Sequence, residues 1–202
     1  MSPDCQVVLV RHGETEWSRT GRHTGRTDVP LASPGRAQGA QLARELAGAS
    51  FWLVLTSPLR RAADTCRLAG LGEQAEQVDD LMEWDYGEYE GKTTAEIRSE
   101  HPEWSLWRDG APGGEGSSDV AARVDRVISR VRRKGGRVAL FAHGHVLRVL
   151  AARWLGLPAS NGSQFKLDTA TLSVLSYERE VPVIEIWNVP VGRGSVLGVL
   201  GG

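Results

Sequence analysis

The 202-residue chain has few cysteines, few lysines, no long apolar run and almost no net charge. Cys5 and Cys66 are isolated and form no CxxC motif, which favours a reducing, cytoplasmic setting over a disulfide framework. No apolar stretch approaches the roughly 18 residues of a membrane-spanning helix, and the first apolar run, 6–10, lacks the features of a secretory signal. A formal net charge of −1 disfavours a nucleic-acid binder. We therefore expect neither membrane nor nucleic acid as a partner.

Because lysine is scarce, arginine supplies nearly all of the positive charge. Only Lys92, Lys134 and Lys166 are lysines among the 24 cationic residues. A GC-rich genome accounts for most of this bias. Arginine is also the side chain whose planar guanidinium suits bidentate contacts with oxyanions. The positions of the arginines can therefore indicate where an oxyanion binds.

Short apolar runs alternate with helical patterns along the chain. Three runs with the composition of strands buried on both faces lie at 6–10, 51–56 and 138–142. Helical patterns lie at 34–47, 59–68, 120–133 and 146–155. This alternation predicts an α/β fold, a three-layer α/β/α sandwich around a mainly parallel sheet. Trp52, Trp154 and Trp187 lie in or beside predicted elements, and we expect them in the core.

The remaining segments complete the predicted organisation. We expect a single domain over 1–190, followed by a loosely ordered, glycine-rich tail over 191–202. Residues 172–175 and 181–187 predict an edge hairpin. The sequence GAPGGEG at 110–116 predicts a flexible surface loop or lid.

Each of the three strand-like runs ends in basic and polar residues. Arg11 and His12 follow the first run, Arg60 and Arg61 lie shortly after the second, and His143 follows the third. Ligands of such sheets bind beyond the carboxyl ends of the strands. Convergent arginine and histidine indicate an oxyanion site, because a guanidinium matches phosphate geometry and keeps its charge. A histidine there could act as a neutral nucleophile or as a cation.

The ordered motifs resemble the histidine phosphatase superfamily, the phosphoglycerate-mutase-like fold, in its branch 1. Residues 10–17, VRHGETEW, resemble the RHG signature of this family. Thr24-Gly25, Ser57-Pro58-Leu59 through Arg61-Ala62, and Ala142-His143-Gly144 follow in the expected order. The RHG tripeptide alone is a weak signal, whereas the ordered set is specific and covers most of the chain, from 6 to about 177.

The resemblance implies covalent catalysis without a metal or other cofactor. His12 is expected to accept the phosphoryl group and form a phosphohistidine. Arg11, Arg61 and His143 are expected to surround the transferring group and balance the charge on its oxygens. Arg60 falls on a variable position and is expected to be solvated. A metal site built on the histidines is disfavoured, because no HExxH-like spacing is present and the neighbours are cations.

The same resemblance assigns a proton donor and a set of substrate contacts. Glu83 matches the family's general acid, which would protonate the leaving oxygen and later deprotonate water; Asp85 is its nearest rival. The other branch of the superfamily carries an acid directly after the second His-Gly, where this chain has a histidine, and this supports Glu83. Residues expected to bind substrate are Ser18, Thr24, Gly25, Tyr86, Gly144 and His145.

Two further classes compete with a phosphatase. In a cofactor-dependent phosphoglycerate mutase, the substrate-clamping lysine would fall at Thr94, and the paired arginines at Arg108 and Asp109. Only one of these three cations is kept, which favours transfer of the phosphoryl group to water. A non-catalytic phosphoryl-ligand binding protein is disfavoured, because all five groups that the reaction needs are present: Arg11, His12, Arg61, Glu83 and His143.

The loops at 83–91, 107–110 and 141–148 are similar to the sedoheptulose-bisphosphatase type of the superfamily. This similarity implies a phosphomonoesterase for small phosphorylated metabolites, either sugar phosphates or bisphosphates; a broad acid phosphatase is an equal alternative. The expected partner is a small-molecule phosphate ester. A homodimer is compatible with the family, although no interface is legible in the sequence.

Overall fold

A computed structural model describes residues 5–192, so most of the predicted glycine-rich tail lies outside the described residues. Within this range the strands are β1 (Gln6–Arg11), β2 (Leu53–Thr56), β3 (Ala75–Gln77), β4 (Arg137–Ala142), β5 (Thr171–Glu178) and β6 (Val181–Pro190). The α-helices are α1 (Glu16–Arg19), α2 (Ser33–Glu45), α3 (Arg60–Leu68), α4 (Thr94–Glu100), α5 (Leu106–Asp109), α6 (Ser117–Lys134) and α7 (Gly144–Trp154). Short 3₁₀ turns lie at Gly72–Gln74, Asp79–Leu81, Gly87–Tyr89 and Ala159–Gln164.

The strands form one mixed sheet in the order β3-β2-β4-β1-β5-β6. Strands β3, β2, β4 and β1 are parallel to one another, and β5 and β6 add to β1 as an antiparallel hairpin. The predicted α/β fold with a mainly parallel sheet is therefore confirmed, and the predicted edge hairpin forms at the end of the sheet next to β1.

Helices cover both faces of the sheet because alternate strand residues point to opposite sides. Val8 and Val10 belong to an apolar cluster with residues of α2 and α3. Val7 and Leu9 belong to a second cluster with residues of α6 and α7. Since both faces are buried, the central strands are continuous apolar runs, as the sequence predicted.

The three tryptophans expected in the core have different surroundings. Trp154 is 1% exposed, whereas Trp52 is 70% exposed, so the core prediction for Trp52 is wrong. The regular part of β2 begins only at Leu53, and the indole of Trp52 lies over Gly136 at the surface. Trp187, on the edge strand β6, is half-buried against the core.

The glycine-rich segment 110–116 is bound to a neighbouring loop along its length. The amide of Glu88 donates to the carbonyl of Pro112 at 2.9 Å, and the amide of Glu115 donates to that of Asp85 at 2.9 Å. The structure thus places this segment as a packed strap and not as a free lid. Over residues 5–192 no helix combines the length and apolarity needed to cross a membrane.

Candidate active site

The predicted convergence of strand ends is present in the sheet. In the parallel registers Arg11 pairs with Ala142, and Thr56 pairs with Phe141, so β1, β2 and β4 end side by side. The chain then continues into His12, Ser57 and His143. The backbone bonds extend one step further: the amide of His12 donates to Ala142 and that of Ser57 donates to Phe141.

The ring of His12 is held in one orientation and one tautomer. Its Nδ1 lies 2.7 Å from the carbonyl oxygen of Gly13, which can only accept, so Nδ1 carries the proton and Nε2 keeps its lone pair. The residue is 5% exposed. Burial, reinforced by the charges of Arg61 and Arg11, lowers the pKa of His12 well below its usual 6.5. His12 is therefore neutral near pH 7, which is the protonation state that a nucleophile requires.

His143 lies behind His12, with 5.1 Å between the ring centroids. The Nε–H of Arg61 donates to His143 Nδ1 at 3.0 Å, so the histidine proton is on Nε2, which lies 2.8 Å from the hydroxyl of Ser57. Burial lowers the pKa of His143 well below 6.5, with a further contribution from the charge of Arg61. His143 is thus a neutral hydrogen-bond donor in this structure.

The remaining donors of Arg61 hold a loop. Its Nη1 donates to the carbonyl of Thr27 at 3.0 Å, and its Nη2 donates to the carbonyls of Thr24 and Gly25 at 3.0 and 2.8 Å. Arg61 lies in the first turn of α3 and has no exposed surface, whereas the adjacent Arg60 is exposed as predicted. Arg61 therefore joins the second strand end to the loop that precedes α2.

Arg11 has a buried donor without a partner among the described residues. Its Nη1 donates to the carbonyl of Leu167, but its Nε is buried and unbonded. A Cβ on Gly144 would lie 3.3 Å from the Arg11 guanidinium, so glycine allows the side chain to pass this closely. An unpaired buried guanidinium donor is costly unless an acceptor reaches it, and a phosphoryl oxygen is such an acceptor.

Glu83 is 5% exposed and lies against the N-terminus of α7. Its Oε1 accepts from the amides of Trp84 and Val146 at 2.9 Å, and its Oε2 accepts from the amide of His145 at 3.0 Å. The first amides of a helix provide a natural site for a carboxylate. The rival acid, Asp85, accepts instead from the amide of Gly87 and does not line the active-site cavity.

A cavity of about 260 Å³ opens at these strand ends. Three of the predicted catalytic residues line it, namely Arg11, His12 and Glu83. Arg61 and His143 are fully buried and are not among the residues that line it. Five of the predicted substrate contacts also line it: Ser18, Thr24, Tyr86, Gly144 and His145.

The backbone of Gly25 bonds to other residues of the chain. Its amide donates to the Glu90 carboxylate at 2.7 Å, and its carbonyl accepts from Arg61, so neither polar group is free for a substrate. Gly25 belongs to the loop that Arg61 holds and does not line the cavity in this structure, and its contact with substrate stays a prediction. The hydroxyl of Ser18 is likewise engaged, since it bonds to the backbone of Thr15 as part of the cap of α1.

His23, Tyr86 and His145 form an aromatic wall of the cavity. The Tyr86 hydroxyl lies 2.6 Å from His145 Nδ1, and the rings of His23 and Tyr86 are 4.7 Å apart. Burial lowers the pKa of His23 to about 4 and the pKa of His145 well below 6.5, and raises that of Tyr86 well above 10. The wall is therefore uncharged near neutral pH.

Four residues that were not predicted to contact substrate also line the cavity: Arg22, His23, Thr94 and Arg148. The sequence did contain a signal for one of them, because Arg148 follows His145 by three residues and so shares its face of α7. Its Nε donates to the carbonyl of Gly162 at 2.9 Å, and its guanidinium lies 4.6 Å from the ring centre of Trp107. These contacts hold the Arg148 side chain beside the cavity.

Comparison with known proteins identifies the family of this chain. Residues 7–190 match the profile of the histidine phosphatase superfamily (branch 1), so the chain belongs to this family. An acid phosphatase from Mycobacterium tuberculosis is 42% identical over 181 residues, 87% of this chain and 88% of that protein. Sedoheptulose 1,7-bisphosphatase from Saccharomyces cerevisiae is 34% identical, over 92% of this chain and 79% of that protein.

The solved structures agree with the sequence comparison. The structure of a Mycobacterium tuberculosis open reading frame superposes with a TM-score of 0.87 at 37% identity, over 92% of this chain and 97% of that one. The predicted family and the predicted enzyme class, a phosphoric monoester hydrolase, are confirmed.

Proposed function

We propose that the chain hydrolyses the phosphate esters of small metabolites, sugar phosphates or bisphosphates, through a phosphohistidine at His12. The observation that carries this proposal is the location of His12 and Arg11 on one cavity. The Gly13 carbonyl holds the His12 proton on Nδ1 and leaves a lone pair on Nε2, and Arg11 lines the same cavity with an Nε that has no partner among residues 5–192. A neutral nucleophile beside a free guanidinium donor suits attack on a phosphoryl group.

The reaction takes two transfers. In the first, His12 Nε2 attacks phosphorus, the bond from phosphorus to the ester oxygen breaks, and protonated Glu83 gives its proton to the leaving oxygen. In the second, Glu83 takes a proton from a water that attacks the phosphohistidine, and His12 Nε2 is released with inorganic phosphate. Arg11 stabilises the oxygens in both transfers, so the chemistry requires no metal.

Arg61 and His143 support the phosphoryl site from behind. Their shared hydrogen bond holds a positive charge next to His12, whose ring centre is 5.1 Å from that of His143. Burial, reinforced by this charge, keeps His12 unprotonated, and the same charge helps to balance that of the phosphoryl group.

The cavity suits a small, hydroxylated leaving group. Its volume of about 260 Å³ matches a compact metabolite, and the uncharged aromatic wall offers ring faces and hydrogen-bonding groups. Arg148 adds a second cation for a bisphosphate. The names of the relatives, an acid phosphatase and a sedoheptulose 1,7-bisphosphatase, lie within the same substrate class.

A mutase is disfavoured by the surroundings of the three positions at which its clamp would lie, Thr94, Arg108 and Asp109. Arg108 is ion-paired with Asp109 at 2.7 Å, and neither residue lines the cavity. Thr94 does line it but carries no charge. Water is therefore the acceptor that takes the phosphoryl group from the phosphohistidine. A cytoplasmic location belongs to the same proposal, because Cys5 and Cys66 are both free, buried thiols.

The test is a phosphate-release screen across sugar phosphates, bisphosphates and phosphoglycerates, with and without EDTA. We expect release from sugar phosphates that persists in EDTA, and an acid-labile, alkali-stable phosphoryl group on His12. The His12→Asn variant should lose both, and the His101→Asn variant, changed at an exposed position, should lose neither. Full turnover by His12→Asn would exclude His12 as the nucleophile. With 3-phosphoglycerate, a mutase rate above the rate of phosphate release would favour the mutase over the phosphatase.

A further inference from the structure

The ion pair of Arg123 and Glu115 is the feature that the proposed chemistry leaves unexplained. Arg123 lies on α6 and is 6% exposed, and its Nε and Nη2 donate to the two oxygens of the partly buried Glu115 at 2.8 and 3.0 Å. Desolvation offsets much of the attraction in a pair that is largely removed from water, so we look for its role in the geometry that it holds. Neither residue lines the active-site cavity, so neither touches substrate.

Arg123 binds the chain just before Glu83. Its Nη1 donates to the carbonyl of Asp80 at 2.9 Å and to that of Met82 at 2.6 Å. The guanidinium therefore fixes the backbone directly on the N-terminal side of the general acid.

Glu115 binds the chain just after Glu83. Its Oε2 accepts from the amide of Asp85 at 2.8 Å, its carbonyl accepts from the indole of Trp84 at 2.7 Å, and its amide donates to the carbonyl of Asp85 at 2.9 Å. Together with Arg123, Glu115 holds Glu83 from both sides through one connected network.

Glycines allow the strap and the acid loop to lie backbone to backbone. A Cβ on Gly114 would lie 2.3 Å from the carbonyl oxygen of Asp85, and one on Gly87, at φ +48°, would lie 2.1 Å from that of Pro112. Both contacts are with backbone atoms and cannot be relieved by a side chain turning away. Close packing of the two loops therefore requires glycine at Gly114 in the strap and at Gly87 in the acid loop.

We propose that Arg123 and Glu115 are positioning residues. They set the position of the Glu83 carboxyl group relative to the leaving oxygen that it protonates. This inference rests on the proposed role of Glu83 as general acid. The amides of α7 hold the carboxyl oxygens, and the network of Arg123 and Glu115 holds the backbone from which the side chain extends. A shift at the backbone moves the acid relative to the leaving oxygen, and an error near 1 Å in such a group costs about 10²-fold in rate.

The experiment compares two substrates on the variants Arg123→Lys and Glu115→Gln. The leaving group of p-nitrophenyl phosphate departs without a proton, whereas that of β-glycerophosphate requires one from a general acid. We expect kcat/KM for β-glycerophosphate to fall about 10- to 100-fold and that for p-nitrophenyl phosphate to fall less than about threefold. The ratio of the two values on one sample does not depend on how much of the variant is folded, so loss of stability does not imitate the effect.

Two control variants separate the outcomes. Glu83→Gln should show the same selective loss, and a Glu83→Gln variant without it would overturn the proposed acid and this inference together. A selective loss in Glu83→Gln with an unchanged ratio in Arg123→Lys and Glu115→Gln would overturn the inference alone. Asp125→Asn breaks the pair of Asp125 with Arg153, 2.9 Å apart between α6 and α7, and should leave the ratio unchanged.

Discussion

Arg61 and His143 are joined by a 3.0 Å hydrogen bond from the guanidinium Nε–H to the imidazole Nδ1, although neither residue has any exposed surface. This bond links the first turn of α3 to the residue that follows β4. Because His143 Nδ1 accepts a hydrogen bond, it carries no proton and the imidazole is neutral. The two residues are 82 positions apart in the chain.

Substitution of Arg61 by lysine tests this link. Lysine keeps the charge but loses the planar fork, and so leaves His143 and most of the loop carbonyls unbonded. We expect kcat/KM to fall about 10²-fold and the free energy of unfolding to fall by about 2–4 kcal/mol. Arg60→Lys, at the exposed neighbour, is the matched control and should change neither value in phosphate release or urea unfolding.

The buried histidines predict a pH dependence of stability. The pKa values of His12 and His143 lie well below 6.5 in the folded chain, because burial disfavours the charged ring. The unfolded chain therefore binds protons that the folded chain does not, so stability is complete above pH 6.5 and declines as pH falls toward the lower folded pKa. The slope approaches about 1.4 kcal/mol per pH unit for each such histidine.

Urea unfolding between pH 7 and 5 measures this slope. The variant His143→Gln removes one of these rings and should lower the slope by about 1.4 kcal/mol per pH unit, the contribution of one proton. This change in slope does not depend on how the substitution alters the stability at pH 7. A wild-type stability that stays constant over this interval would show that the buried rings bind protons as readily as the unfolded chain does.

Gly144→Ala is expected to damage binding without damaging the fold. The added Cβ would lie 3.3 Å from the guanidinium of Arg11, a flexible side chain that can give way, and alanine in the first turn of α7 is a better helix former than glycine. We expect KM to rise by about tenfold with a thermal midpoint equal to or above that of the wild type. An unchanged KM would indicate that Arg11 does not contact the phosphoryl group.

Two tryptophans that were both expected in the core should respond differently to truncation. Trp154 is 1% exposed, and its Trp154→Ala variant should lose about 3–5 kcal/mol of unfolding free energy. Trp52 is 70% exposed, and Trp52→Ala should change it by no more than about 1 kcal/mol. Equal losses in denaturant unfolding would mean that the indole of Trp52 packs in solution.

Much of the site was predictable because its chemistry is local to the strand ends. The apolar runs before Arg11 and His143 indicate strands, and parallel strands bring their carboxyl ends together, so their convergence follows from the pattern. The side chain of Glu83 was predictable only through the family resemblance, because nothing in its own loop distinguishes it from Asp85.

The sequence by itself determined the class of the fold, the order of its elements and the identity of the groups at the strand ends, because periodicity and strand polarity are properties of short segments. Tertiary structure alone decided which groups line the cavity. It buried Arg61 and His143, bonded the amide of Gly25 to Glu90, and brought Arg148 to the cavity. These outcomes depend on which hydrogen-bond partners distant segments offer, and no local pattern encodes that competition.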